Sequence, residues 1–161
     1  MPTNLYGPND NFDLNTSHVL PALIRKFHEA KQEDADFVTI WGTGKPRREF
    51  LHADDLVDAC IYLMNIADNR LSLKDSPLFN IGTGIDLTIN QLARLIGGTI
   101  GFKGKIINDF SKPDGTPQKL LDTTKLKNLG WQPEISLSHG IQQIYKWYKD
   151  VKVKNPDPIF R

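Results

Sequence analysis

Met1-Pro-Thr-Asn-Leu-Tyr-Gly-Pro8 opens the chain. Short β-prone residues run into Tyr6-Gly7-Pro8, where glycine and proline end regular structure, so the segment reads as a short strand entering a turn. The residues after Pro8 decide what kind of strand it is. Asn9 to Ser17 is polar and turn-rich, and Val19 to Glu33 then places Leu20, Leu23, Ile24 and Phe27 on one helical face. A strand leading into an amphipathic helix points to an α/β architecture.

The alternation continues. Phe37 to Trp41 reads as a short apolar strand broken by Gly42-Thr-Gly44, and Arg48 to His52 as another. Asp54 is positioned to cap a helix with the stripe Leu56, Ala59, Cys60, Leu63 and Ala67. Leu78 to Ile81 reads as a buried strand ahead of Gly82-Thr-Gly84. Thr88-x-x-Gln91 is a capping-box pattern opening a helix to about Ile96. Lys105 to Phe110 forms a strand, Ser111 to Pro117 a loop, and Asp122 caps a short helix ending at Gly130. Leu137, Ile141, Ile144, Tyr145 and Tyr148 make the face of a last helix over residues 137–148. The main unit therefore spans residues 1–152, with a frayed tail at 153–161 carrying Pro156 and Pro158. These strands are too few for a complete doubly wound sheet, so some are expected to belong to a sheet whose centre lies elsewhere.

A length of 161 residues fits one domain or a piece of one. Hydrophobic content of 39% and charged content of 24% are ordinary for a globular chain and sufficient for a core. A net charge of +1 argues against a nucleic-acid surface, which is usually strongly basic. No apolar run approaches a membrane span and no signal peptide is present, so a cytoplasmic setting is the default. The single cysteine, Cys60, cannot form an internal disulfide and is expected as a buried thiol. His28, His52 and His139 have no metal-site spacing, so no metal is expected.

Four groups of residues are candidates for chemistry. Ser17-His18 sits between the polar loop and the first helix, where a histidine serves either as a general acid or as a solvated loop residue. Gly42-Thr-Gly44-Lys-Pro-Arg47-Arg48-Glu49 places two guanidiniums after a tight turn. Arginine forks suit a diphosphate; the alternative is a surface loop with an ion pair to Glu49. Trp41 offers a flat face for a sugar or base, or is a core tryptophan. Ser111-Lys-Pro-Asp114-Gly-Thr-Pro-Gln-Lys119 combines an acid, a hydroxyl and two lysines; it is either a ligand loop or an exposed Pro-Asp-Gly turn. Gly82-Thr-Gly84 alone is a weak phosphate-loop signal.

Taken together, Pro2-Thr-Asn-Leu-Tyr-Gly-Pro8, Asn15-Thr-Ser-His18-Val-Leu-Pro-Ala-Leu23, Trp41-Gly-Thr-Gly-Lys-Pro-Arg-Arg-Glu-Phe-Leu-His52 and Ser111 to Asp122 resemble the GDP-L-fucose synthase family of extended short-chain dehydrogenases. The likeness runs from Met1 to about Tyr148. It implies edge strands and helices of a Rossmann-type sheet plus the small substrate-binding domain. The implied activity is NADPH-dependent epimerisation and reduction of GDP-4-keto-6-deoxy-D-mannose to GDP-L-fucose. The alternatives are another nucleotide-sugar epimerase or reductase of the superfamily, or a non-catalytic nucleotide-sugar-binding half-protein.

The resemblance also implies roles. His18 would be the acid of the epimerisation and lie beside the NADP cofactor, with Pro2, Thr3, Asn4 and Leu5 against its nicotinamide end. Lys26, Trp41, Arg48, Asp114 and Lys119 would bind the GDP-sugar. Position 26 is often arginine in the family; lysine keeps the charge without the bidentate fork. The family's Gly-rich dinucleotide loop, its Cys base, and the Ser, Tyr and Lys that steer hydride transfer would precede Met1. The expected partner is thus an N-terminal cofactor-binding half, with a homodimer at full length and no nucleic acid or membrane. Assayed alone with the 4-keto sugar nucleotide, the 161 residues are expected to leave NADPH unoxidised. Ketone-dependent loss of NADPH absorbance would overturn that expectation.

Overall fold

The strand predicted at the start forms as β1 (Asn4–Tyr6) in a computed structural model that describes residues 1–70 and 78–153. The proline-bearing tail predicted beyond Lys152 lies almost wholly outside those residues, as does the side chain of Ala67. Helix α1 (Val19–Gln32) buries Leu20, Leu23, Ile24 and Phe27, the four residues whose spacing predicts it. Strand β2 (Phe37–Trp41) comes next, then β3 (Arg47–His52).

Helix α2 (Ala53–Arg70) starts two residues earlier than a cap at Asp54 requires. Asp54 and Asp55 occupy its first turn instead, where negative charge suits the helix dipole. Asp55 is buried, and its carboxylate accepts the backbone N–H groups of Glu134 and Ile135, each at 3.1 Å. Cys60 is exposed, not buried. Leu56, Ala59 and Leu63 pack inward. One residue past Ala59 rotates the chain about 100° around the axis, which carries the thiol off the packed face.

The segment Leu78–Ile81 does not form the expected strand. Leu78 is exposed, while Phe79 and Ile81 are buried. Pro2 and Ile81 make an isolated parallel bridge, with Thr3 N–H donating to Ile81 O and Ile81 N–H to Met1 O. The ladder stops there as the chain beyond Ile81 turns through Gly82-Thr-Gly84, with Gly84 left-handed at φ +73°.

Strand β4 (Asp86–Thr88) leads into α3 (Ile89–Ile100), which carries the predicted Thr88–Gln91 capping box and runs a turn beyond Ile96. After β5 (Lys105–Asp109) and the two-residue β6 (Gln118–Lys119) comes α4 (Thr124–Asn128). Thr123 is its cap residue, and Asp122 Oδ1 accepts the Thr124 N–H at 2.9 Å. Helix α5 (Leu137–Trp147) is capped by Ser136 and continues as a π-helical segment, Tyr148–Val153, in which Tyr148 is buried.

Strand β3 is shared by three neighbours. Its second half, Phe50–His52, pairs parallel with β1, and its first half, Arg47–Glu49, pairs antiparallel with β4 and, at Arg47 and Arg48, parallel with β6. Strands β2 and β5 form a separate parallel pair. Side chains alternate across a strand, so Tyr6 and Phe50 enter one core with α1, α3 and α5, while Leu5 and Leu51 enter a second with α2, Ile81 and Trp131. The β1–β3 pair is the wall between the cores. No helix among the described residues is long and apolar enough to cross a membrane.

Glu49 is fully buried on β3. Its Oε1 accepts the Gly84 N–H at 2.7 Å and its Oε2 the Leu121 N–H at 3.0 Å. A Cβ on Gly82 would collide with this carboxylate, which explains the glycine there. Glu49→Ala leaves two amides without an acceptor, at about 1–3 kcal/mol each. A urea titration of the variant is expected to show a loss of about 2–6 kcal/mol; a change under about 1 kcal/mol would contradict this account of the site.

Candidate functional site

Two cavities flank the entrance to α1, one on each side of consecutive residues. The larger, about 490 Å³, is lined by Thr3, Asn4, Leu5, Tyr6, Asp10 and His18 among others. The smaller, about 300 Å³, includes Ser17, Lys26, Trp41, Arg48 and Asp114 in its lining.

The polar loop sets this division. Asp13 Oδ1 accepts the N–H groups of Asn15 and Thr16 and the Thr16 hydroxyl, each at 3.0 Å. These bonds hold the Asp13 carboxyl below the usual carboxylate range. Ser17 N–H donates to Asp13 O, and the chain enters α1 with His18 as its extended cap residue. Ser17 then lines the smaller cavity and His18 the larger.

In the larger cavity Thr3, Asn4 and Leu5 come together with His18; Pro2 is not in the lining. Asn4 Nδ2 and Thr3 Oγ1 both donate to Glu49 O, at 2.7 and 3.3 Å. These side chains are thus engaged within the chain, and β1 presents mainly its backbone to the cavity.

In the smaller cavity Trp41 is 60% exposed, which rules out a core tryptophan. The Lys26 and Lys112 ammonium groups lie 5.4 and 5.6 Å from its ring centroid, within cation–π range. Half-burial pushes the Lys26 ammonium down from its ordinary pKa. Arg48 Nη1 donates to the Arg47 and Thr116 carbonyls at 2.7 and 2.6 Å. This clamps the guanidinium between β3 and the loop over residues 111–117. Asp114 is held inside the chain: Oδ1 accepts the Thr43 N–H at 2.8 Å and Oδ2 the Thr43 hydroxyl at 2.6 Å. Gly42 is left-handed at φ +68°, and a Cβ there would strike Asp114.

One alternative of the sequence reading is ruled out. Glu49 is not an ion-pair partner for the arginines: Arg47 pairs with Asp86 at 2.6 Å, and Glu49 is sealed inside. The strand alternates, so Arg47 and Glu49 share a face, but the edge strand β4 brings Asp86 directly opposite Glu49, within reach of Arg47. Lys119 is opposite Arg48 in the β3–β6 register but exposed and absent from the cavity lining. Sequence reasoning missed Asp10, which lines the same cavity as His18, and did not separate Lys112 from the other loop lysine. The Trp41–Lys112 contact leaves no signature in local spacing, since it joins residues 71 positions apart through the β2–β5 pairing.

The smaller cavity suits an anionic ligand with a planar group. The larger sets an imidazole and a carboxylate beside a strand end. Among the described residues, no three His, Cys, Asp or Glu side chains converge as metal ligands would.

Residues 1–82 match the family model described as the NAD dependent epimerase/dehydratase family. GDP-L-fucose synthase 1 of Arabidopsis thaliana is 55% identical over 148 residues, which cover 92% of this chain and 44% of that protein. GDP-L-fucose synthase of Escherichia coli (strain K12) is 51% identical over 151 residues, covering 92% of this chain and 47% of that protein. The chain thus spans about half the length of the curated relatives it matches. A solved GDP-L-fucose synthetase from Naegleria fowleri bound to NADP superposes with a TM-score of 0.82 at 27% identity, covering 96% of this chain and 46% of that one. A Campylobacter jejuni GDP-D-glycero-L-gluco-heptose synthase, solved with NADPH, gives 0.79 at 38% identity, covering 93% of this chain and 52% of that one.

Asp114→Ala removes the Thr43 clasp and frees the loop that holds Arg48. Because Asp114 is exposed, its loss is expected to change folding stability by less than about 1 kcal/mol. Anion binding in the cavity should weaken by about tenfold, the equivalent of one charge-assisted bond. GDP titration by calorimetry checks this; unchanged affinity would show that the clasp does not shape the site.

Proposed function

The chain belongs to the NAD dependent epimerase/dehydratase family, and from that premise we propose that it supplies the nucleotide-sugar-binding part of an enzyme making GDP-L-fucose. The enzyme would convert GDP-4-keto-6-deoxy-D-mannose by epimerisation and NADPH-dependent reduction, as a cytoplasmic homodimer. The observation that carries this reading is the pairing of the two cavities across Ser17 and His18. One gathers Lys26, Trp41, Arg48 and Asp114, and the other Thr3, Asn4, Leu5 and His18.

The chemistry follows from the substrate. Carbons flanking a ketone lose protons because the enolate spreads the charge onto oxygen. A proton returned to the opposite face inverts the centre, which requires a base on one side and an acid on the other. His18 is the acid, since an imidazole changes protonation near neutral pH. Lys26 and Arg48 neutralise the diphosphate, and Trp41 supplies a flat face for the sugar nucleotide. Asp114 acts by holding the loop against Thr43. The cavity at β1 is large enough for a nicotinamide ring, with Thr3, Asn4, Leu5 and His18 around it. When bound there, NADPH supplies the hydride that reduces the ketone. Pro2, bridged to Ile81 beside this cavity, and Lys119, opposite Arg48 on β6, would add further contacts to cofactor and sugar nucleotide.

A second reading keeps the GDP and changes the sugar, since the Campylobacter neighbour is named for a GDP-heptose. Both are tested by a chimera in which this chain replaces the matching 151 residues of the Escherichia coli relative. The chimera is expected to consume NADPH with GDP-4-keto-6-deoxy-D-mannose and release GDP-L-fucose. Lys26→Ala or Arg48→Ala should raise KM by roughly tenfold or more. Turnover of a GDP-4-keto-heptose in preference would favour the second reading, and inactivity with both would refute the proposal.

A further inference from the structure

His18 occupies a helix cap position without capping the helix. Ser, Thr, Asp and Asn prevail there because their side chains accept a backbone N–H, worth about 1 kcal/mol. The His18 side chain makes no cap bond, and the first turn of α1 holds no acidic residue. Pro21, which has no N–H, removes one of the donors a cap would otherwise serve. Among the described residues the imidazole takes part in no hydrogen bond, so both ring nitrogens are free to face the larger cavity.

One carboxyl side chain lines that cavity with His18. Asp10 comes after Asn9, which adopts a left-handed conformation at φ +66°, and this sharp reversal turns the half-buried Asp10 back toward β1 and His18. Asp10 Oδ1 accepts the Asn11 N–H at 2.7 Å, which fixes the carboxylate plane. Among the described residues Oδ2 accepts nothing. Burial pushes the Asp10 carboxyl above its ordinary range, against the Asn11 N–H bond and, to a smaller extent, the neighbouring His18.

We propose that Asp10 is the positioning residue of His18: its free carboxylate oxygen takes the imidazole N–H that faces away from the substrate and fixes the ring for proton delivery. This deepens the reading of His18 as the epimerisation acid and rests on it. In the step, the imidazolium passes one ring proton to the enolate carbon and becomes neutral. The second N–H stays on the ring, donating to Asp10, which remains a carboxylate throughout. A carboxylate in that place selects one tautomer of the neutral ring and stabilises the imidazolium that must re-form.

The test uses the same chimera, with uptake of solvent deuterium into the sugar as the readout of proton delivery. Asp10→Asn is expected to slow uptake by about tenfold to a hundredfold, part of the ~10²–10⁴ that general acid catalysis contributes, with KM for the sugar nucleotide unchanged. Asp10→Glu should recover most of the loss. Ring nitrogen shifts of His18 in the 161-residue chain give a second measurement, independent of turnover. They should show one dominant neutral tautomer that becomes a mixture in Asp10→Ala. Wild-type uptake by Asp10→Asn, in a chimera that His18→Asn disables, overturns the positioning role alone. Wild-type uptake by His18→Asn overturns the acid assignment and this inference with it. An unchanged tautomer ratio in Asp10→Ala also overturns it.

Discussion

The buried carboxylate of Glu49 is the constraint on which the rest of the arrangement depends. It lies where β3 passes from its β4 and β6 partners to its β1 partner. Its side chain takes amides from Gly84 and Leu121, and its own carbonyl takes the side chains of Thr3 and Asn4. Segments far apart in the chain thus converge on one residue. A buried carboxyl is tolerated when hydrogen bonds replace its water, and here backbone N–H groups do so, with no ion pair to Glu49 among the described residues. Arg47 is thereby left to pair with the Asp86 carboxylate, and Arg48 to face the cavity.

From that anchor the two cavities arise by strand geometry. Alternation along β1 and β3 sends Tyr6 and Phe50 into one core and Leu5 and Leu51 into the other, so the strand pair is a rigid partition. The loop between β1 and α1 crosses the end of that partition, folded by Asp13 onto Asn15 and Thr16. Consecutive residues at a helix entrance point in different directions. This lets Ser17 belong to one cavity and His18 to the other. A group between a ligand pocket and a strand end is well placed to act on a reacting centre that spans both.

The loop over residues 111–117 shows how distant parts are brought to the smaller cavity. Parallel pairing of β2 with β5 carries both strands out at the same end, so Trp41 and Asp109 finish side by side. The segment after Asp109 then folds back over Gly42-Thr43, where Asp114 is clasped and Lys112 meets the indole. Arg48 is drawn in through the Thr116 carbonyl. The cation-rich pocket is therefore a product of one strand pairing and one short clasp.

The sequence by itself determined the helices and most strands, because their signals are local. The face of α1, the Thr88–Gln91 box and the β2 run each depend on residues within a few positions of one another. It also singled out His18, Trp41, Arg48 and Asp114 as candidates, since their motifs are contiguous, whereas Lys26 came only from the family resemblance. It misjudged Cys60 and Leu78 and left the partner of Arg47 open, because burial and pairing depend on which other segment arrives alongside. Only the tertiary structure decided that Glu49 is an internal anchor, that Lys119 stands apart from the pocket, and that Asp10 shares a cavity with His18. Those facts come from contacts between segments or from the direction a side chain leaves a turn, and neither is written in local spacing.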